Sequence, residues 1–436
     1  MIAVTRMERA CLRRLAGRVA EIAALPEQAA KRRDIIALNR LDPVLPRIYC
    51  FPEGAWLECI PPETLECRDP LLRGWETRLR MAIFTHDFLR DDQPADPVFN
   101  VPWHGWTDDW GMTTGVTDPN PDARRTYYLH AYSNLSLSSH SGLGAVHYDP
   151  PMKSRRDLDR LRTPQLHVDT GTSAAWLELA HELFDGLLDV RRRGHWWQLL
   201  GGLCQTATML RGIDTLMIDL MEDPAWVGEF LARLAAGHLH TLDQLEAGGY
   251  LSLNNGCEWI HTGGIGCSDE LPAPGFDGRH VRCRDLWGGV ETQDITGISP
   301  AAFETVFLPH LRPIVERFGL GCYGCCEPLH DWLPALKTIR NLRRVSISPW
   351  ADIARCAQRL GRAAVFSCKP LPTDVCTGRL DEAAIHERLT GIFTHTRRHD
   401  CRVEVMLKDL HTVCHQPRRL QRWVELSRQA RDQVYA

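Results

Sequence analysis

Two segments of this 436-residue sequence concentrate side chains that can do chemistry. One is Tyr323-Gly324-Cys325-Cys326-Glu327-Pro328; the other is Lys408-Asp409-Leu410-His411-Thr412-Val413-Cys414. Zinc takes thiolate and imidazole ligands by preference, and a catalytic zinc leaves one coordination position open. Cys325 or Cys326 with His411 and Cys414 is the expected ligand set, since His411 and Cys414 lie on one strand-to-loop turn. Adjacent cysteines are too close for an ordinary zinc pair. Strand neighbours also point to opposite sides, so one of Cys325 and Cys326 faces the pocket, and the sequence leaves open which. Against the metal stands a plainer role, because free cysteine packs as a small apolar residue.

The carboxylates follow a separate logic. Lys408-Asp409 interrupts the apolar run 403–410, where charge is costly unless paired or functional. Asp285 and Glu327 also follow β-prone runs. Asp285, Glu327 and Asp409 are therefore the expected acid–base groups. The competing reading of Lys408 and Asp409 is an ion pair that closes the mouth of the site. His167, Glu270, Trp287, Tyr323, Trp350 and Lys369 are expected to line the substrate pocket, with Trp287 and Trp350 either walling an apolar substrate or packing. Gly201-Gly202 and Gly263-Gly264 lack the spacing of a phosphate loop. No G-x-S-x-G elbow occurs, which argues against a serine hydrolase of the ordinary kind.

These residues need a frame that brings strand ends together. From residue 165 onward, β-prone runs alternate with helices: 165–170, 193–199, 250–255, 280–285, 320–325, 344–348, 364–368 and 403–409. That alternation is the mark of an α/β fold with a parallel sheet or barrel. In a (β/α)8 TIM-type barrel, the functional side chains project from the carboxyl ends of the strands. Helix signals punctuate the runs: Asp223-Pro224 and Ser299-Pro300 as starts, and Gly248-Gly249 and Gly361 as stops. Pro309 and Pro313 should kink or break the helix they fall in. Residues 1–150 read as a helical extension and cap. They include an aromatic cluster (Trp103, Trp106, Trp110, Tyr127, Tyr128 and Tyr132), and residues 151–436 read as the barrel.

Composition excludes some classes. The formal charge is −4, without the basic excess of a nucleic-acid binder. No apolar stretch is long enough to span a bilayer, and the charged N-terminus is unlike a signal peptide. A cytoplasmic location is expected, where the 16 cysteines stay reduced.

Residues from about 155 to 430 resemble the uroporphyrinogen decarboxylase-like superfamily. The resemblance rests on Asp285-Leu-Trp-Gly-Gly, Arg317-Phe-Gly-Leu, Tyr323-Gly-Cys-Cys-Glu-Pro-Leu-His330, Asn341 through Asp352, Cys368-Lys-Pro370 and Lys408-Asp-Leu-His-Thr-Val413. It implies a (β/α)8 barrel, a homodimer and, in the branch of corrinoid-linked methyltransferases, a zinc held by a His-x-Cys and a later Cys. Tyr323-Gly-Cys325 stands where the His-x-Cys would be, and Cys414 stands where the later Cys would be. The missing histidine could be replaced by His411, Cys326 or Glu327. The function this implies is a zinc-dependent methyltransferase acting on a small thiol or methylated substrate with a corrinoid partner. Two alternatives are a metal-free lyase, such as a decarboxylase, and a non-enzymatic carrier of a tetrapyrrole or small molecule.

Overall fold

The computed structural model describes residues 3–117, 147–194 and 202–436. Tyr127, Tyr128 and Tyr132 of the aromatic cluster, Gly201, and most of the expected strand 193–199 lie outside the described residues. The chain is mixed α/β. Its strands are β1 (Arg47–Cys50), β2 (Val98–Pro102), β3 (Gly105–Thr107), β4 (Gly115–Thr117), β5 (His147–Asp149) and β6 (Leu166–Val168), followed by β7 (Asp189–Arg193), β8 (Trp287–Val290), β9 (Leu320–Tyr323), β10 (Leu342–Ile347), β11 (Val365–Cys368) and β12 (Arg402–Leu407). Six of them form one parallel sheet in the order β1-β12-β11-β10-β9-β8. Two-stranded pairs join β2 with β7, β3 with β6 and β4 with β5.

Four expected strands, 320–325, 344–348, 364–368 and 403–409, coincide with β9 to β12. The run 280–285 forms no strand. Cys283–Asp285 is a 3-10 turn, because the Asp285 carboxylate accepts the Arg282 N–H at 2.9 Å, and the strand begins only at Trp287. The run 165–170 supplies β6, which pairs antiparallel with β3 rather than joining the parallel sheet. Among the described residues, 250–255 form no ladder and are tied to neighbouring strands by side chains. Asn254 exchanges two 2.9 Å bonds with the Trp287 backbone, and Ser252 Oγ donates to Arg192 O at 3.1 Å. The sheet's sixth member is β1, which lies in the stretch expected to be helical. It pairs with β12 over Arg47↔Glu404 to Cys50↔Leu407. Among the described residues, the far side of β1 has no ladder partner; the carboxylates of Asp92 and Asp91 accept its Ile48 and Cys50 N–H groups, each at 2.9 Å.

The helix signals behave as their chemistry requires. Asp223 caps the helix Pro224–Ala247 by accepting from Trp226 N at 3.0 Å, and Ser299 caps the next start. Pro313 sits inside the helix Leu308–Val315, which a π-type turn precedes. Gly361 ends the helix Ile353–Leu360. One large apolar core lies between the sheet and its helices. A smaller core joins the helices Arg6–Ala23, Pro70–Phe84 and Thr170–Phe184 to β2 and β7. No helix of the described residues is long and apolar enough to cross a membrane.

One face of the sheet is unusually polar. Ser346, Ser367 and Glu404 share a rung, with Arg344 two residues before Ser346. A loop of residues 257–267 lies on this face. Arg344 and Glu404 are buried and meet at 2.9 Å. Gly264, at φ +83°, rests on that pair so closely that a Cβ there would come within 2.4 Å of both side chains. Only glycine tolerates this conformation and this approach without cost. Trp259, at the loop's other end, packs on Tyr49 and Phe51 with ring centroids 5.6 and 5.0 Å away.

Candidate functional site at the carboxyl edge of the sheet

Parallel strands align their carboxyl ends, so the residues after β8, β9, β10, β11, β12 and β1 gather along one edge. These are Glu291 and Thr292, then Cys325 to Glu327, Ser348, Lys369, Lys408 with Asp409, and Glu53. Gly324 makes the turn that ends β9. Its φ is +96°, and it receives a hydrogen bond from Thr262 of the inserted loop.

Glu327 ties two strand ends together. It is fully buried and accepts from Thr292 N at 2.9 Å, Thr292 Oγ1 at 3.1 Å and Cys325 N at 2.8 Å. Tyr323 extends the network, its hydroxyl 2.9 Å from Thr292 Oγ1. Burial and the nearby Glu327 carboxylate push the Tyr323 phenol well up, so it stays protonated. Ser348 adds a bond to Glu327 O at 3.1 Å.

Above this floor stand two thiols. Cys325 Sγ and Cys326 Sγ are 3.5 Å apart. The contact with Cys325 holds the Cys326 thiol below its ordinary value; burial and the Asp409 charge oppose this, and the charges of Lys369 and Lys408 assist it. Cys325 moves the other way, raised by the same bond and by burial. Cys326 is the more exposed of the two and the one whose thiol is held lower, the direction that favours reactivity.

Two lysines face the same site from neighbouring strands. Lys369 follows β11 and donates to Ser346 Oγ. Burial and the charge of Lys408 lower its pKa. Lys408 follows β12 and lies 3.2 Å from Asp409 and 3.6 Å from Glu53. Burial opposes its charge, but those carboxylates more than offset it, so its pKa is raised and it stays an ammonium. Burial raises Glu53 to about 7, against the pull of Lys408. Glu291 is pushed well up by burial, by Cys325 and by Glu327, and so holds its proton. His261, at the tip of the inserted loop, lies over Gly289 of β8. Burial and the two lysine charges lower it to about 3, so its imidazole is neutral.

The other expected site residues are placed elsewhere. Asp285 sits at the amino end of β8. Burial raises its carboxyl, but the bonds from Arg282 more than offset this and hold it low. Trp287 is buried at the start of β8, donating Nε1–H to Gly266 O at 2.9 Å under the Arg344 guanidinium. Glu270 pairs with Arg343 at the amino end of β10. His167 lies on β6, where it contacts Asp108 at 2.6 Å and stacks on Trp106. Trp350 follows β10 and is 68% exposed. The edge thus gathers Tyr323, Cys325, Cys326, Glu327, Lys369 and Asp409, and leaves out His167, Glu270, Asp285 and Trp287.

The expected zinc ligands are not assembled. Cys414 turns its thiol to the carbonyl oxygens of Cys376 and Thr377, each at 3.4 Å, and His411 is exposed. Among the described residues, the one group of three or more potential ligands within 4.8 Å of one another lies elsewhere, at Cys11, Cys67 and Glu76. Cys325, Cys326, His411 and Cys414 therefore do not fit a zinc in this arrangement.

Glu53, His261, Glu291 and Thr292 are missing from the expected set. Glu291 carries a usable signal, a carboxylate directly after the run Trp287-Gly-Gly-Val290. The other three carry none: Glu53 depends on β1, His261 on the inserted loop, and Thr292 on its bonds to Glu327 after β9.

No family model matches the chain, and no curated protein matches it. Among solved structures, the chain is similar to a methyltransferase from Methanosarcina mazei. The likeness covers 93% of this chain and 99% of that one, at 11% sequence identity and a TM-score of 0.48.

Proposed function

We propose that the chain is an enzyme that transfers a methyl group to or from a small molecule, with Cys326 as the thiolate at which the group is received. The observation that carries this reading is the thiol pair 3.5 Å apart, with Lys369 and Lys408 supplying positive charge nearby. A thiolate is the nucleophilic form of cysteine. The reading keeps the methyltransferase branch of the resemblance without its zinc. A corrinoid on a partner protein would supply the methyl group in activated form. The same reading takes the six-stranded sheet as part of one (β/α)8 TIM-type barrel in a cytoplasmic homodimer of the uroporphyrinogen decarboxylase-like superfamily.

The test uses iodoacetamide and methylcobalamin as probes. Peptide mass mapping should find Cys326 alkylated ahead of every other cysteine at neutral pH. It should also find a methyl group on Cys326 after methylcobalamin treatment, absent in Cys326→Ser. If Cys326 reacts no faster than Cys325 and gains no methyl group, the reading is wrong.

One arrangement favours a metal-free lyase as second reading. Lys369 and Lys408 can hold a substrate carboxylate while the protonated Glu291 supplies a proton to the carbon that loses it. Release of carbon dioxide from a small carboxylic acid, abolished in Glu291→Gln and retained in Cys326→Ser, would select it over methyl transfer.

A further inference from the structure

Away from the sheet edge, three side chains converge in the smaller core. Cys11 comes from the helix Arg6–Ala23, Cys67 from the turn before the helix Pro70–Phe84, and Glu76 from that second helix. Their two sulfurs and one carboxylate oxygen lie within 4.8 Å of one another. Cys11 is 2% exposed, and Cys67 and Glu76 are fully buried.

The charge of the cluster leaves room for a cation. The Glu76 carboxylate accepts from Glu66 N, from Cys67 N at 2.8 Å and from Arg80 Nε at 2.8 Å. Glu66 N is shared between the two oxygens at 3.0 Å each, so the carboxylate's about four acceptor positions are engaged, and a cation would take the place of the proton that the Cys67 thiol shares with it. Burial and the Glu76 charge raise both thiols, Cys11 to about 11. Apart from a cation, the cluster holds two thiols and one carboxylate, a charge of −1. Replacing the two thiol protons by a divalent ion leaves that charge unchanged, so the exchange adds no charge to the core. Arg80 already compensates Glu76, and Arg14 Nη2 lies 3.8 Å from Cys11 Sγ. Glu66, bonded to Arg14 and Arg80, lies beside Cys11 just outside that group and is the carboxylate at hand for a fourth position.

We propose that Cys11, Cys67 and Glu76, with Glu66 as fourth ligand, bind one zinc ion in a closed site that fastens the N-terminal helix to the turn at residues 66–67. Two sulfurs and two oxygens in a closed tetrahedron suit zinc, and a closed site of this kind contributes folding energy rather than catalysis. Binding releases two protons, one from each thiol. The site is independent of the reaction at the sheet edge.

The wild-type chain tests this directly. Purified from zinc-supplemented cells, it should carry about one equivalent of zinc. After chelation it should take up cobalt(II) with a thiolate-to-cobalt charge-transfer band, releasing about two protons per ion at a pH below the thiol range. Cys11→Ser, Cys67→Ser and Glu76→Gln should lose the zinc, while Cys326→Ser and Cys414→Ser should keep it. Absence of metal, a cobalt complex without the sulfur band, or zinc lost only in the Cys326 and Cys414 variants would each overturn the proposal. So would a Cys11–Cys67 disulfide in non-reduced peptide maps. The metal analysis and cobalt titration need no variant, so misfolding of one cannot obscure the result.

Discussion

Removing Arg344 or Glu404 alone should destabilise the chain far more than removing both. The two side chains are 2% and 0% exposed and meet at 2.9 Å, off the hydrogen-bond axis, so their attraction is chiefly Coulombic. Breaking a buried pair leaves one charge uncompensated, at about 3–5 kcal/mol. Replacing both partners by apolar groups of similar volume is often neutral or stabilising. Unfolding entropy of about 2.1 cal/mol/K per residue over 436 residues gives about 0.9 kcal/mol/K. Glu404→Leu should therefore lower Tm by about 3–5 °C if the chain unfolds as one unit. Arg344→Met should cost at least as much, since Arg344 also donates to Asn39 Oδ1 at 2.7 Å and Ile265 O at 3.2 Å. The double variant should recover much of the loss. Calorimetry on the four proteins completes the cycle. Single variants within about 1 °C of wild type, or a double variant equal to the sum of the singles, would refute the reasoning.

Gly264→Ala should cost about 2–4 kcal/mol, the sum of a left-handed backbone and a contact with Arg344 and Glu404; a thermal shift under about 1 °C would show that the loop yields freely. Asp285→Asn should lower stability by about 1–3 kcal/mol by weakening the Arg282 contact and leave the alkylation rate of Cys326 unchanged, whereas a catalytic Asp285 would show intact stability and lost turnover. His261 titrates at about 3 when folded and near 6.5 when unfolded, so the unfolded chain gains a proton between those values. Its contribution to stability is full above about 6.5 and lost as pH falls towards 3. Relative to His261→Asn, the wild type should weaken in urea titrations only below that upper limit, and parallel curves would refute it. Glu53 has the opposite sign. Its folded value of about 7 exceeds the unfolded 4.3 or so, so its contribution is present at low pH and fades as pH rises through 7. Glu53→Gln should remove that slope.

Strands β9 to β12 are legible in the sequence because each is an apolar, β-prone run bounded by turn residues. β1 is not, since Arg47-Ile-Tyr-Cys50 is too short to show a period and owes its place to β12. The thiol pair shows where a local rule stops applying. Alternation along a strand sends Cys325 and Cys326 to opposite sides, but β9 ends at Tyr323 and Gly324 turns the chain first, so both thiols end on one side in contact. The spacing of His411 and Cys414 suggests one ion, yet Cys414 has φ +54° and directs its sulfur to the carbonyls of residues 376 and 377. Such a turn depends on neighbours far away in the chain. His261 is the least legible, because nothing periodic surrounds it. Its position follows from the fit of Gly264 on a buried ion pair.

The pairing of β1 with β12 also sets an order of events during synthesis. Arg47 lies opposite Glu404, so about 350 residues must leave the ribosome before the first strand meets its partner. At about 5–20 residues per second, that wait is roughly 20–70 s. During it, one flank of β1 can be held by Asp91 and Asp92 within the nascent chain, while the other offers an open row of backbone groups. An unpaired edge invites pairing with other chains. The nascent protein should therefore depend on chaperone cover late in translation, and truncation before residue 402 should yield aggregates rather than a smaller folded protein.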